Sequence, residues 1–263
     1  MPINSPFIET KNSTFTWQEF RTIRDSEILK PLYRDTGQKP ERMRRQIFHY
    51  ETKQTYYIHQ QDCLLDEHYP LVQAQAELEY NCYLYAPILG LNLPEINALS
   101  FYQDAELNIA HMVLGTQEVP GTRLADILQD ETVAGSLRKE LAHQAAWDAT
   151  RITLGYGDND RKPKNMIVSN PFTKESECHH VDFEYAMSAD YVSLVDNWFT
   201  EDMPREFGRE IRFSRQAVMD MVLDLSNRVQ CLPIGDFRNK IIQNLNQAIP
   251  LVKAHPFLTG PVL

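Results

Sequence analysis

Two short stretches of this sequence hold the side chains best suited to do chemistry together. The first is Gly157-Asp158-Asn159-Asp160-Arg161-Lys162-Pro163-Lys164-Asn165, which runs into the apolar Met166-Ile167-Val168. The second is His180-Val181-Asp182-Phe183-Glu184-Tyr185-Ala186. Together they place carboxylates, amides and lysines on loops beside short apolar runs. Phosphoryl transfer asks for such a set. One carboxylate orients or deprotonates the attacking hydroxyl, while an amide oxygen and a second carboxylate hold the magnesium ions that bridge the phosphates. Hard oxygen ligands suit Mg2+, which takes few protein ligands and leaves the rest of its shell to water and phosphate. An Asp-rich loop such as Asp158–Asp160 is by itself an ordinary turn. Lys162, Asn165 and the Asp182 segment are what give it chemical meaning.

The run D-R-K-P-K-N from Asp160 to Asn165, followed by V-D-F-E from Val181, resembles the catalytic loop and metal-binding turn of the protein-kinase-like superfamily. The five-residue step from Asp to Asn is the family spacing. That resemblance implies Asp160 as catalytic base, Asn165 as a magnesium ligand and Asp182 as the principal magnesium ligand. Lys162 stands where Ser/Thr protein kinases carry a lysine that contacts the transferring phosphate. Several segments are similar to the atypical branch that contains phosphoinositide lipid kinases, actin-fragmin kinase and HipA-type kinases. There a helix runs directly into G-N-x-D-R-H-x-x-N, as Trp147–Leu154 here runs into G-D-N-D-R-K-P-K-N. Glu79–Pro94 resembles that branch's αC segment, which makes Glu79 the candidate ion-pair glutamate. Met112–Leu128 resembles the hinge strand and the helix after it, so Gln117, Glu118 and Val119 are expected to line the adenine. The implied ligands are ATP and Mg2+, and the implied acceptor is a hydroxyl, with a protein Ser or Thr preferred.

The first third departs from the family pattern. Gly37 is the only glycine before Gly90, so no glycine-rich phosphate loop can be read. His59 stands where the nucleotide lysine belongs. Lys53, Lys30, Arg44 and Arg45 remain open as substitutes. Glu184 replaces the glycine of the metal turn, and D-F-E-Y also occurs in choline-kinase-like enzymes. Three alternatives to a protein kinase therefore stay open: a small-molecule or lipid kinase, a pseudokinase acting as a binding module, and transfer of the whole nucleotide instead of phosphate.

The elements that must position these residues follow from periodicity. Gln46–Tyr50 and Thr55–His59 are aromatic and β-branched around a polar centre, which predicts a hairpin. Residues 71–89 carry apolar positions at helical spacing, with Pro87 and Gly90 as stops. Ala110–Leu114 reads as a buried strand closed by the loop Glu118–Gly121. Leu124–Leu128 and Ser136–Leu154 read as helices. Met166–Val168 and His180–Phe183 read as short strands around the turn at Ser169-Asn170-Pro171. Arg215–Val229 and Asp236–Ile249 read as further helices. The expected fold is α+β and two-lobed: a β-rich N-lobe over 1–116 with an αC-like helix at 71–89, and a helical C-lobe over 117–263 with a catalytic loop at 157–168 and a metal turn at 181–186.

Bulk properties bound the rest. The chain has 263 residues, 43% hydrophobic and 24% charged, the balance of an ordinary globular protein. The net charge of −10 argues against broad nucleic-acid binding, which needs cations to displace counterions. No run approaches the ~18–20 apolar residues of a membrane span. Met1–Pro6 has no basic segment before an apolar core, so a cytoplasmic protein is expected, with export by a signal-less route left open. The four cysteines (Cys63, Cys82, Cys178, Cys231) are scattered and read as reduced thiols. Adjacent His179 and His180 point to opposite faces of a strand and read as structural, as do Trp147 and Trp198. Cys178 lacks an assignable base.

Overall fold

The computed structural model describes residues 8–9, 33–35, 44–49, 54–64, 69–94, 96–104, 109–158, 160–171, 173, 176–183, 186–187 and 190–260. The chain forms two compact units: Met1–Leu84 with Pro94–Glu118, and Tyr85–Leu93 with Val119–Leu263. Helices and sheets are both present, in an α+β arrangement.

The first unit holds a six-stranded sheet. Its strands are β1 (Ile8–Glu9), β2 (Tyr33–Asp35), β3 (Arg44–His49), β4 (Gln54–Leu64), β5 (Ile96–Asp104) and β6 (Ile109–Gln117), in the order β1-β5-β6-β4-β3-β2. All neighbours are antiparallel. The hairpin expected over residues 46–59 is β3–β4, with Ile47 opposite Tyr56 and His49 opposite Gln54. Strand β6 is longer than the expected Ala110–Leu114. Between β4 and β5 lies helix α1 (Tyr69–Tyr85), which buries Glu79, Tyr80, Cys82 and Tyr83.

Helix α1 ends four residues short of the expected residue 89. Pro87 has no N–H to continue the ladder, and the chain closes instead in turns, with Leu89 N–H donating to Tyr85 O and Leu91 N–H to Ala86 O. Gly90 then takes a left-handed φ of 70°. A Cβ added there would stand 3.2 Å from the guanidinium groups of both Arg151 and Arg228.

The second unit is mainly helical around a three-stranded sheet, β7 (Thr122–Arg123), β8 (Met166–Ser169) and β9 (Glu177–His180). Its helices are α2 (Leu124–Gln129), α3 (Gly135–Tyr156), α4 (Tyr191–Asn197), α5 (Met203–Phe207), α6 (Arg215–Arg228) and α7 (Asp236–Ala254). A π-helical turn, Trp198–Asp202, links α4 to α5. Ser214 caps α6, accepting from Ala217 N–H at 3.1 Å, a cap that contributes about 1 kcal/mol.

Helix α3 is the axis of this unit. Leu141, Ala142, Ala145, Ala146, Ala149 and Ile152 are all buried at helical spacing, and the alanines let neighbouring elements approach closely. A helix leaves its last four carbonyls without internal partners. Here each one has a partner. Thr153 O accepts from Gly157 N–H at 3.0 Å, Leu154 O from Tyr191 Oη at 2.6 Å, Gly155 O from Asn244 Nδ2 at 3.1 Å and Tyr156 O from Met187 N–H at 2.7 Å. Gly157, left-handed at φ 63°, stops the helix. The segment from Asp158 onward thus starts from a fully tied helix end.

Strand β9 corrects the expected His180–Phe183 strand: it runs over Glu177–His180, with Met166 opposite His180 and Val168 opposite Cys178. Asp182 has φ 70°, outside the strand region, and the Val181 and Asp182 carbonyls are taken by Arg161. Trp198 is fully buried with its indole N–H on Thr150 Oγ1 at 3.0 Å. Trp147 meets Phe213 edge-on at 5.0 Å between centroids. Cys82, Cys178 and Cys231 are free thiols. Among the described residues, no helix is long and apolar enough to cross a membrane.

Candidate active site

The loop after α3 folds around its own carboxylates. Asp158 is fully buried, and Thr153 Oγ1 donates to its carbonyl at 2.9 Å. Its Oδ1 accepts from Asp160 N–H at 2.9 Å, an Asx-type turn that aims the next carboxylate. Asp160 then receives two side chains. Lys162 Nζ lies 2.6 Å from Oδ1, and Asn165 Nδ2 donates to Oδ2 and to the Asp160 carbonyl, both at 3.0 Å. Pro163 opens the single 3-10 turn Pro163–Asn165 that brings Asn165 back to Asp160. Asp160, Lys162 and Asn165, singled out by type and spacing, therefore form one hydrogen-bonded group.

Electrostatics distinguishes the two carboxylates of this loop. Partial burial works to raise the Asp160 carboxyl, but the Lys162 ammonium, the Asn165 amide and the charge of Lys164 outweigh it and hold it below the ordinary range. Asp160 is thereby held ionised. Burial pushes Asp158 the other way, upward, against the pull of Arg161. Lys162 is raised by its bond to Asp160, with burial opposing and Glu206 of α5 assisting.

Asp182 reaches the same loop through its backbone. Val181 N–H donates to Asn165 O at 3.0 Å. Arg161 Nη1 donates to Val181 O at 3.2 Å, and Arg161 Nη2 to Asp182 O. The guanidinium lies 4.3 Å from the centre of the Phe183 ring, and Phe183 packs edge-on against Tyr156, the last residue of α3, at 5.9 Å. Arg161 and Asp158 form a fully buried ion pair at 3.1 Å. Residue type and spacing give neither of them a role. The one cue in the sequence is Gly157, which ends α3 where the next residue must turn inward.

The donor set fits magnesium. The Asn165 amide spends its nitrogen on Asp160 and so offers its oxygen. Asp182 adds a carboxylate on the adjoining turn. Two hard protein ligands, with phosphate and water completing the shell, suit Mg2+. Among the described residues, no group of three or more His, Cys, Asp or Glu that could hold a metal ion occurs.

The remaining expected site residues belong to other segments of the chain. Glu79 is on α1, buried, in the first unit. Gln117 ends β6 opposite Tyr56, Glu118 follows it, and the boundary between units falls between Glu118 and Val119. His59 of β4 is in register with Arg44 of β3 and Leu114 of β6, and Arg45 with Ile58. Lys30, Lys53, Glu184 and Tyr185 lie outside the described residues. His180 is buried beside Arg161, and burial, then the charges of Arg161 and His179, keep it neutral.

No family model matches the chain, and no curated protein matches it. The solved structure of WaaP in complex with acyl carrier protein is similar over 94% of this chain and 99% of that one, at 13% identity and a TM-score of 0.49. A likeness of that degree bears on no residue's role.

Proposed function

We propose that this protein is a kinase of the protein-kinase-like fold that transfers the γ-phosphoryl group of ATP, with Mg2+, to a hydroxyl, a protein Ser or Thr first. The observation that carries the reading is the hydrogen-bonded group Asp160–Lys162–Asn165, tied through Asn165 O to the turn that holds Asp182. Asp160, kept ionised, accepts the hydrogen bond of the acceptor hydroxyl. It takes that proton as the oxygen–phosphorus bond forms and the bond to the leaving diphosphate breaks. Lys162 neutralises charge beside it. Asn165 and Asp182 are the residues that would hold magnesium, which supplies charge neutralisation at the phosphates. Glu79 and the segment Gln117-Glu118-Val119 are proposed for the nucleotide side.

A second reading rests on Asp182-Phe183-Glu184-Tyr185: the acceptor is a small molecule, as in choline-kinase-like enzymes. A metabolite-extract screen for ATP consumption separates the two acceptor classes.

Thermal melting tests nucleotide binding directly. At ~100 times its Kd, ATP with Mg2+ adds roughly 2.7 kcal/mol to stability, a rise of several degrees for a chain of this size. The rise should require Mg2+ and shrink in Asp182→Ala. An unchanged melting point in wild-type protein over a wide range of ATP and Mg2+ would favour a binding module without nucleotide chemistry.

A further inference from the structure

Arg161 occupies an unusual place for a cation. Its side chain is fully buried, as guanidinium groups seldom are, and its contacts converge on the segment that carries Asp182. Two of its nitrogens donate to consecutive carbonyls, Val181 O and Asp182 O, while its Cζ lies 4.3 Å from the Phe183 ring centre. Asp158 closes the other side at 3.1 Å, itself fixed by its bond from Asp160 N–H at 2.9 Å. The residue thus gripped, Asp182, has φ 70°. A left-handed non-glycine residue costs about 1–2 kcal/mol and persists where its surroundings over-determine it.

Stability alone gives a poor account of this pair. Buried ion pairs often contribute no more than well-packed apolar residues of the same volume, because desolvation cancels the attraction. What an apolar pair would not supply is a planar fork that binds two adjacent carbonyls at once, and lysine would not supply it either.

We infer that Arg161, clamped by Asp158, is a positioning residue that holds the Asp182 backbone in its left-handed turn and thereby sets how tightly the site binds a divalent cation. This rests on the phosphotransferase reading above, in which Asp182 is a metal ligand. Arg161 does for the metal turn what an outer-shell partner does for a ligand: it fixes orientation without touching the ion.

The test uses the full chain, with Mn2+ as a paramagnetic stand-in for Mg2+ and a non-hydrolysable ATP analogue present. Free Mn2+ is read by electron paramagnetic resonance. Two variants are compared with wild type. Arg161→Lys keeps the charge beside Asp158 but loses the fork. The double variant Asp158→Leu/Arg161→Met removes both charges together, so no buried charge is left unpaired. Each should melt cooperatively and weaken Mn2+ about 10–100-fold, the usual effect of losing an outer-shell partner. A purely structural pair would lower the melting point and leave the Mn2+ constant alone. Wild-type Mn2+ affinity in either cooperatively folded variant overturns this inference and leaves the phosphotransferase reading standing. Absence of saturable Mn2+ binding in the wild-type protein overturns both.

Discussion

Asp160 is pulled in two directions, upward by partial burial and downward by Lys162 and Asn165, and the partners win. Removing Lys162 tips that balance. In Lys162→Met the carboxyl loses its 2.6 Å ammonium but keeps its burial, so its pKa rises and the acid limb of the pH–rate profile should move to higher pH. A profile of kcat/KM against pH reads the shift; an unmoved limb would mean that Asp160 is not the titrating group. Asp148 on α3 offers a test of stability instead. Burial raises its carboxyl to about 6, with Arg151 opposing. The folded pKa exceeds the unfolded value near 3.8, so the fold binds the proton more tightly than the open chain does. The penalty is absent below about pH 3.8, grows as pH rises toward 6, and is complete above it. Asp148→Asn should therefore stabilise the protein at about pH 7–8 by about 1–2 kcal/mol, discounted for its partial exposure, and flatten the stability profile between about pH 4 and 6. Urea unfolding at about pH 4 and about pH 8 measures it.

At the scale of elements, the site depends on how two chain segments are pinned. Helix α3 ends with all four terminal carbonyls partnered, so the loop from Asp158 begins at a fixed point. The loop before β7 is pinned by Gly121, where an added Cβ would stand 2.3 Å from Val168 O and 2.8 Å from its carbonyl carbon. Backbone cannot yield as a flexible side chain does. Gly121→Ala should cost about 1–3 kcal/mol, as overpacked sites do, and lower activity by displacing β8, the strand that follows Asn165; denaturant melting and initial rates check the two parts. Long, periodic elements were legible in the sequence: the β3–β4 hairpin, α3, α6 and α7 lie where apolar spacing put them, within a few residues. What was not legible has physical causes. Strand β5 shows no clean alternation and carries a register shift between Ile96 and Ala98. Residues 191–207 hide their helices because a π turn at Trp198–Asp202 breaks the 3.6-residue period and buries Trp198 and Phe199 side by side. The Val181–Phe183 segment looks strand-like by composition, yet a distant cation, Arg161, claims its carbonyls.

At the scale of the molecule, the Asp160, Lys162, Asn165 and Asp182 backbone network lies wholly within the second unit. The family resemblance singled out these four residues, which stand within 23 positions of one another. The basic partner for the phosphates was not legible. Its candidates, His59, Arg44, Arg45, Lys53 and Lys30, are spread over the first third of the chain, where no motif ranks them; among the described residues the strand register sets Arg44 opposite His59. With a net charge of −10, the protein should bind nucleotide through magnesium more than through surface cations. Chelating the metal should therefore abolish the ATP-dependent rise in melting temperature. A rise that survives chelation would point to a site built on basic residues instead.

The most direct measurement is transfer of label from γ-labelled ATP in the presence of Mg2+, to the protein itself, to lysate proteins and to metabolites. Wild type is set beside Asp160→Asn and Asp182→Ala, each shown to melt like wild type. Label transfer by the wild type that falls about 10²–10⁴-fold in Asp160→Asn, the range expected for loss of a general base, and at least as far in Asp182→Ala, is the predicted result. No transfer and no ATP turnover by the wild type, or transfer that persists undiminished in both variants, would contradict it.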